Sequence, residues 1–384
     1  MTMPEAEPVD WQDRANVAAR SVTALFGRRL LLLPGTHLAA VQWPSNGLKN
    51  LIQPWHYWWQ AHYVDCLVDA GGRELATGAT FDGGGRPSAG RLASRLVTTI
   101  RLRNALTFVN NYYDDMAWLA LATHRLESLA QETRRPASRR NARVRKTLTL
   151  QFDSASTDDL GGGTFWSKKR DFKNTPATAP VALYYARTGQ QAKAQRLVDW
   201  LNAVLFDESQ GLYLDGARLN AAGDVVVEDT AYTYNQGPVL GALLELGGEA
   251  NLARAAVLVD AVSKRLTVPG RPVIRGEGGG DGGLFTGILV RYLALAARDE
   301  RLPSGLRATA RSLVTGTAEA FWAGRTEKDN GTVVFSPQPH RPAGEAYPAG
   351  AAVELSTQLQ AWMVLEAAAG LNQPRLTAAA PGAP

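Results

Sequence analysis

Residues 230–266, TAYTYNQGPVLGALLELGGEANLARAAVLVDAVSKRL, decide how the 384-residue chain folds. The first part, 230–246, crowds Thr, Tyr, Asn and Gln at its start and then turns apolar on nearly every side. The second, 250–266, alternates Leu252, Ala256 and Val259 with Arg254, Asp260 and Lys264 at helical period. A helix apolar all round must be covered by neighbours, and an amphipathic helix covers it while facing water. The stretch therefore reads as an inner helix followed by an outer one.

The same alternation recurs along the chain. Outer segments read at 10–27, 88–103, 139–152, 190–206, 250–266 and 304–322, and inner ones at 55–70, 110–129, 174–187, 230–246, 284–298 and 351–369. Inner starts fall 54 to 67 residues apart, the register of an array of helical pairs. Glycine and proline mark the expected joints, among them Pro44, Gly71 and Gly72, Gly161 to Gly163, Gly247 and Gly248, the run 276–283, and Pro303. Strand-like runs at 224–227 and 331–336 are short and suit loop hairpins. Twelve helices in six pairs predict an all-α closed ring, an (α/α)6 barrel, with residues 10–370 forming a single catalytic domain and 371–384 a disordered C-terminal tail. An open solenoid would call for shorter repeats with polar capping ends. In a closed barrel the N-terminal ends of the inner helices meet at one mouth, where this sequence places its Trp, Tyr, Asn, Gln and Asp.

Composition narrows the chemistry. Apolar residues are 45% and charged residues 20% of the chain, which excludes bulk disorder. The single cysteine, Cys66, excludes a disulfide framework and a Cys-rich metal site. No uncharged apolar run reaches the roughly 18 residues of a membrane span. The acidic N-terminus lacks an apolar segment, and LLLLP at 30–34 is too short and too far in, so no signal peptide is visible. The expected setting is cytoplasmic, unless a leader has been trimmed. Net charge is +5, and seven cations (Arg134, Arg135, Arg139, Arg140, Arg143, Arg145 and Lys146) cluster without an acid among them. That cluster reads as a solvated face or a dock for an anionic surface. With no interleaved aromatics, it does not suit nucleic acid.

The densest constellation is Asn110-Asn111-Tyr112-Tyr113-Asp114-Asp115-Met116-Ala117-Trp118. Acids in a first helical turn can serve as caps, but capping needs only one of them. Two neighbouring carboxylates on a buried element cannot both ionise cheaply, so one should hold its proton. A split pair of this kind is what glycoside hydrolysis uses. Adjacency leans towards the shorter spacing, about 5 to 5.5 Å, of a retaining mechanism. Sugars offer C–H faces to aromatic rings and hydroxyls to planar amides. Trp59, Gln60, Tyr112, Asn174, Tyr234, Asn235, Gln236 and Asp281, all at inner-helix starts or adjoining loops, are therefore the candidate substrate contacts. Trp58 and Trp118 are expected in the core.

Tyr112-Tyr113-Asp114-Asp115-Met116-Ala117-Trp118 resembles the Asp-Asp signature of glycoside hydrolase family 76, the endo-α-1,6-mannanases. Further blocks resemble that family in matching order: Tyr57-Trp58-Trp59-Gln60-Ala61-His62, Gly161-Gly162-Gly163-Thr164-Phe165-Trp166, Lys173-Asn174-Thr175-Pro176, Thr233-Tyr234-Asn235-Gln236-Gly237 and Gly280-Asp281-Gly282-Gly283-Leu284-Phe285-Thr286-Gly287. The resemblance spans roughly residues 10–369. It implies endo-acting, retaining cleavage of α-1,6-mannosidic bonds through a covalent glycosyl-enzyme. Asp114 would be the nucleophile and Asp115 the general acid/base, acting on an α-1,6-linked mannan or a mannan-bearing glycolipid. The basic cluster suggests that phosphorylated or lipid-anchored mannans are preferred.

Other signals are weaker. Asp158 and Asp159 read as a solvated turn. The match of 278–283 to G-x-G-x-x-G follows no buried strand and reads as a lip of the cleft. The five histidines (His37, His56, His62, His124 and His340) lack metal-ligand spacing, and no D-D-x-x-D motif follows Asp114. No metal or cofactor is expected, and the oligomeric state is not readable. Two alternatives stay open on the same barrel: a sugar epimerase, which would want histidines rather than acids at the mouth, and a non-catalytic glycan-binding protein.

Overall fold

The inner and outer classes separate by burial. In the computed structural model, which describes residues 9–45, 54–84, 87–133, 139–220 and 222–372, fourteen of the sixteen residues of Leu355–Gly370 are buried, against five of the eighteen in Gly248–Arg265. The outer helices are α1 (Trp11–Phe26), α3 (Ala89–Arg103), α5 (Arg139–Ala155), α7 (Gln191–Trp200, continued by a wider turn over Leu201–Leu205), α9 (Gly248–Arg265) and α11 (Ser304–Ala323). The inner helices are α2 (Tyr57–Thr77), α4 (Tyr113–Glu132), α6 (Thr175–Arg187), α8 (Thr233–Leu246), α10 (Phe285–Ala296) and α12 (Leu355–Gly370). Each inner helix packs on the next, and α12 packs on α2, so the ring closes as an (α/α)6 barrel. Residues 134–138 of the basic cluster and 373–384 of the expected tail lie outside the described residues.

Small residues set how close the inner helices come. A Cβ on Gly237 of α8 would sit 3.1 Å from the Ile288 carbonyl oxygen of α10, and one on Gly287 of α10 would sit 2.7 Å from Gln360 Cα of α12. Gly71 and Gly72, expected at a joint, lie inside α2 instead. A Cβ on Gly71 would meet Leu129 at 2.6 Å, so glycine there lets the longer helix pass against α4.

The loops that climb from outer to inner helices are pinned by a recurring device. Four inner helices carry a polar side chain at the fourth helical position that pairs with the backbone of the preceding loop. Gln60 accepts from the Ala39 N–H at 3.0 Å and donates to its carbonyl at 3.2 Å. Gln236 does the same at Tyr213 (2.9 and 2.9 Å), and Gln358 at Phe335 (2.8 and 2.7 Å). Thr178 serves Thr164 with its hydroxyl. An amide matches an N–H/C=O pair in both donor and acceptor, so a buried loop strand stays satisfied without a sheet partner.

The strand-like run near 224–227 is Val225–Glu228. It pairs antiparallel with Gly216–Leu219, which pairs in turn with Lys173–Asn174 at the entry to α6. Below the mouth the barrel axis is charged. Arg125 of α4 and Arg291 of α10 each bridge both Asp65 and Asp69 of α2. Arg73 forms a two-pronged pair with Glu366 at 2.9 and 3.0 Å. Under this layer, the C-terminal halves of the inner helices leave a hollow of about 620 Å³.

Candidate active site

The entry to α4 is held in extended backbone by the loop that leads to α6. The Tyr113 N–H donates to the Trp166 carbonyl at 2.8 Å, and the Lys168 N–H donates to the Asn111 carbonyl at 2.9 Å. Asn110 folds over the helix start, accepting from the Tyr112 N–H at 2.7 Å and donating from Nδ2 to Asp115 Oδ2 at 2.6 Å. Asp114 accepts the Asp115 N–H at Oδ1 (2.8 Å) and the Trp166 indole N–H at Oδ2 (3.0 Å). Both acids are half-buried, and the N-cap residue, Tyr112, makes no side-chain cap.

Two adjacent acids in one low-dielectric site are driven apart in proton affinity. Burial lifts Asp114 up to about 7, with Asp281 adding to the rise, while the Asp115 N–H and the Trp166 indole oppose it. Burial and then the charge of Asp114 push Asp115 well above the usual carboxylate range, against the hydrogen bond from Asn110. The first-turn position favours ionised acids, but burial outweighs it here. Near neutrality Asp114 releases its proton and Asp115 keeps its own.

A third acid faces the pair. Asp281, on a short turn at Gly280–Leu284, accepts the indole N–H groups of Trp58 (3.0 Å) and Trp59 (2.9 Å) at one oxygen. The His56 ring stacks on Trp59 at 4.0 Å. Tyr234 lies flat against Phe285, with ring centroids 3.7 Å apart. Burial, then the charges of Asp215, Asp114 and Asp281, hold its hydroxyl well above the usual phenol range, which places that ring among the acids. Asn235 Nδ2 donates to Asp215 Oδ1 at 3.3 Å, while Asn235 Oδ1 is buried with no partner among the described residues. Burial raises Asp215 to about 6. The mouth thus gathers acids and aromatic rings.

The sequence profile of glycosyl hydrolase family 76 matches residues 40–378. The chain belongs to glycosyl hydrolase family 76. Among solved structures, the GH76A α-1,6-mannanase from Salegentibacter sp. HEL1_6 is 28% identical, with a TM-score of 0.78 over 94% of this chain and 100% of that one. An inactive variant of that enzyme, with two consecutive aspartates replaced by asparagine and α-1,6-mannotriose bound, is 27% identical with the same TM-score and coverage. A protein from Listeria innocua is 25% identical, with a TM-score of 0.76 over 94% of this chain and 98% of that one. No curated protein matches.

In this family 76 chain the candidate contacts divide by what their polar atoms already hold. Tyr112, 42% exposed, and Tyr234 and Asp281 gather around Asp114 and Asp115, with Trp59 joined through Asp281 and the fully buried Asn235 through Asp215. Gln60 and Gln236 are fully buried with their amides on loop backbone, and Asn174 caps α6 by accepting the Ala177 N–H at 3.1 Å. Trp118 is buried against His62, as a core residue should be. Trp58 departs from the core expectation: it is half-buried, because its indole reaches up to Asp281. Trp166, Asn110, Asp215 and Phe285 also belong to the site. Of these, Asp215 alone lies outside the stretches that the sequence singles out: Asn110 adjoins the Asp-Asp pair, and Trp166 and Phe285 each follow a glycine run.

The rest of the mouth is structural. Lys173, fully buried, donates from Nζ to the carbonyls of Thr157 (2.7 Å), Asp159 (2.6 Å) and Gly162 (2.7 Å), tying the loop of Asp158 and Asp159 together. His62 sits beneath Trp58, where burial and Arg291 lower it to about 3, so it is neutral at ordinary pH. Among the described residues, no helix is long and apolar enough to cross a membrane. Nor does any group of three or more His, Cys, Asp or Glu side chains suit a metal ion.

Proposed function

We propose that this family 76 glycoside hydrolase is a retaining, endo-acting α-1,6-mannanase whose catalytic unit spans residues 10–370. The observation that carries the reading is the division of proton affinity between Asp114 and Asp115 at one barrel mouth. The likeness to an α-1,6-mannanase over nearly the whole chain supports the choice of substrate.

Asp114, ionised, attacks the anomeric carbon as the bond to the leaving oxygen breaks, and Asp115 gives that oxygen its proton. This leaves a glycosyl ester on Asp114 and a free sugar terminus. Asp115, now ionised, takes a proton from water, whose oxygen displaces Asp114 with a second inversion and restores both acids. Trp166 and the Asp115 N–H hold the nucleophile in place, so little reorganisation is needed as charge moves off it. Trp59, Tyr112, Tyr234, Asn235 and Asp281 contact the mannan, while Gln60, Asn174 and Gln236 shape the backbone behind them.

The test is hydrolysis of linear α-1,6-mannan followed by NMR. A burst of short oligosaccharides whose first-formed ends are α supports the reading, and β ends or no cleavage reject it. Asp114→Asn and Asp115→Asn should each remove nearly all turnover, with circular dichroism unchanged.

A further inference from the structure

Among the described residues fifteen large apolar side chains are exposed; ten of these lie in the segments that lead from outer to inner helices, and an eleventh, Leu102, lies on the last turn of α3. Five form one neighbourhood. Leu31, Leu32 and Leu33 are 64%, 83% and 49% exposed, and Leu102 and Leu106 are 40% and 63% exposed. The two loops lie side by side. Arg28 pairs with Leu38 in a short ribbon, the His37 N–H donates to Thr99 Oγ1 of α3 at 3.0 Å, and Arg28 feels the charge of Arg103. Arg101 Nε donates to the Leu106 carbonyl at 2.8 Å.

Neither packing nor backbone explains leucine here. Leu31, Leu32 and Leu106 have φ of +46°, +60° and +63°, the left-handed region that bulky L-residues rarely adopt and that Asn or Gly suits better. Charge along the two segments themselves has one sign. Residues 27–45 and 88–113 contain Arg28, Arg29, Arg91, Arg95, Arg101 and Arg103 and no Asp or Glu. Exposed leucines rimmed by arginine match a surface that is apolar within and anionic at its headgroups. A second copy of the chain fits poorly, because a two-fold contact would set this cationic patch against itself.

We propose that these leucines and arginines seat the barrel mouth on an anionic lipid surface. The turn carrying Leu106 runs within eight residues into Asp114, so docking brings the acids over glycans anchored in that surface. The second step, a membrane-held mannan as substrate, rests on the hydrolase reading, whereas the docking does not.

The experiment is co-sedimentation of the full chain with phosphatidylcholine vesicles, with and without phosphatidylglycerol. Binding should be at least about tenfold tighter to the anionic vesicles and weaken with added salt. The paired variant Leu32→Asn with Leu106→Asn suits the backbone, so it should fold with an unchanged or higher Tm. It should lose about tenfold in vesicle binding and cleave soluble linear α-1,6-mannan at the wild-type rate. Arg29→Gln with Arg103→Gln should lose the preference for anionic lipid. Equal binding to both vesicle types, wild-type binding by the leucine variant, or a solution dimer that the leucine variant dissolves would each overturn the docking. Vesicle binding without cleavage of soluble linear α-1,6-mannan would reject the hydrolase reading and leave the docking supported.

Discussion

Trp166 places its indole N–H 3.0 Å from Asp114 Oδ2, across a loop whose own backbone is bonded to the entry of α4. One aromatic residue on a different segment therefore helps to hold the Asp114 carboxylate in place and opposes the rise that burial imposes on its proton affinity.

Removing that donor should act on pH before it acts on rate. With Asp114 near 7 and Asp115 well above its usual range, kcat/KM should rise through about pH 7 and fall only at distinctly higher pH. The Trp166 hydrogen bond favours the ionised form, so Trp166→Phe should raise Asp114 further. The acid limb then moves up by about one pH unit. Turnover at pH 6 should drop about tenfold and recover substantially at pH 9, as read from a pH profile on α-1,6-mannan.

Asp281→Asn tests charge apart from hydrogen bonding. The amide oxygen can still accept from Trp58 and Trp59, but the negative charge that raises both Asp114 and Asp115 is gone. Both limbs of the profile should shift to lower pH, by about half a unit. A loss of kcat with unmoved limbs would instead mark Asp281 as a substrate contact only.

The acid pair should weaken the fold that holds it. Both carboxyls bind protons more tightly when folded than at their ordinary value of 3.8. The unfolded chain therefore releases protons first as pH rises above about 4, and stability declines until the folded-state values are passed. Asp115→Asn has nothing to ionise there. Its Tm should exceed wild type by a few degrees at pH 8, with the gain vanishing towards pH 4, as calorimetry can follow.

The charged layer in the barrel axis should behave in the opposite way. Arg291→Met strips one of the two cations that bridge Asp65 and Asp69. Leaving buried charge short of its partner costs about 3–5 kcal/mol. For a chain of this length that corresponds to a fall in Tm on the order of 5 °C. Thermal unfolding at pH 7 measures it.

The barrel was legible because its two helix classes differ in what they must cover. From Ala361 to Ala369 α12 is apolar but for Glu366, and α9 keeps a polar stripe. Asp114 and Asp115 stand out for a related reason, since charge on an otherwise buried element demands an explanation. Polar residues that serve the backbone are harder to read. Gln60 and Gln236 sit at inner-helix starts like sugar contacts, yet the period that locates them says nothing about which groups their amides meet. Trp166 and Trp58 are the converse: both lie among aromatics that suit a core, and only the turn of the loop or helix exposes their N–H groups to an acid. Gly71 and Gly72 read as a joint because glycine ends helices more often than it admits a neighbouring side chain.

The side chains that rivet the loops have a bearing on how such a mouth diversifies. Gln60, Thr178, Gln236 and Gln358 occupy the same helical position, whereas α4 and α10 have Met116 and Ile288 there. Those two entries, held instead by the Trp166 loop backbone and by Thr286 Oγ1 on the Arg275 carbonyl (2.7 Å), are the ones that deliver Asp114, Asp115 and Asp281. A loop of new length could be grafted onto any of the four anchors without moving its foot, but a graft at the Thr178 corner would also have to return an indole N–H to Asp114.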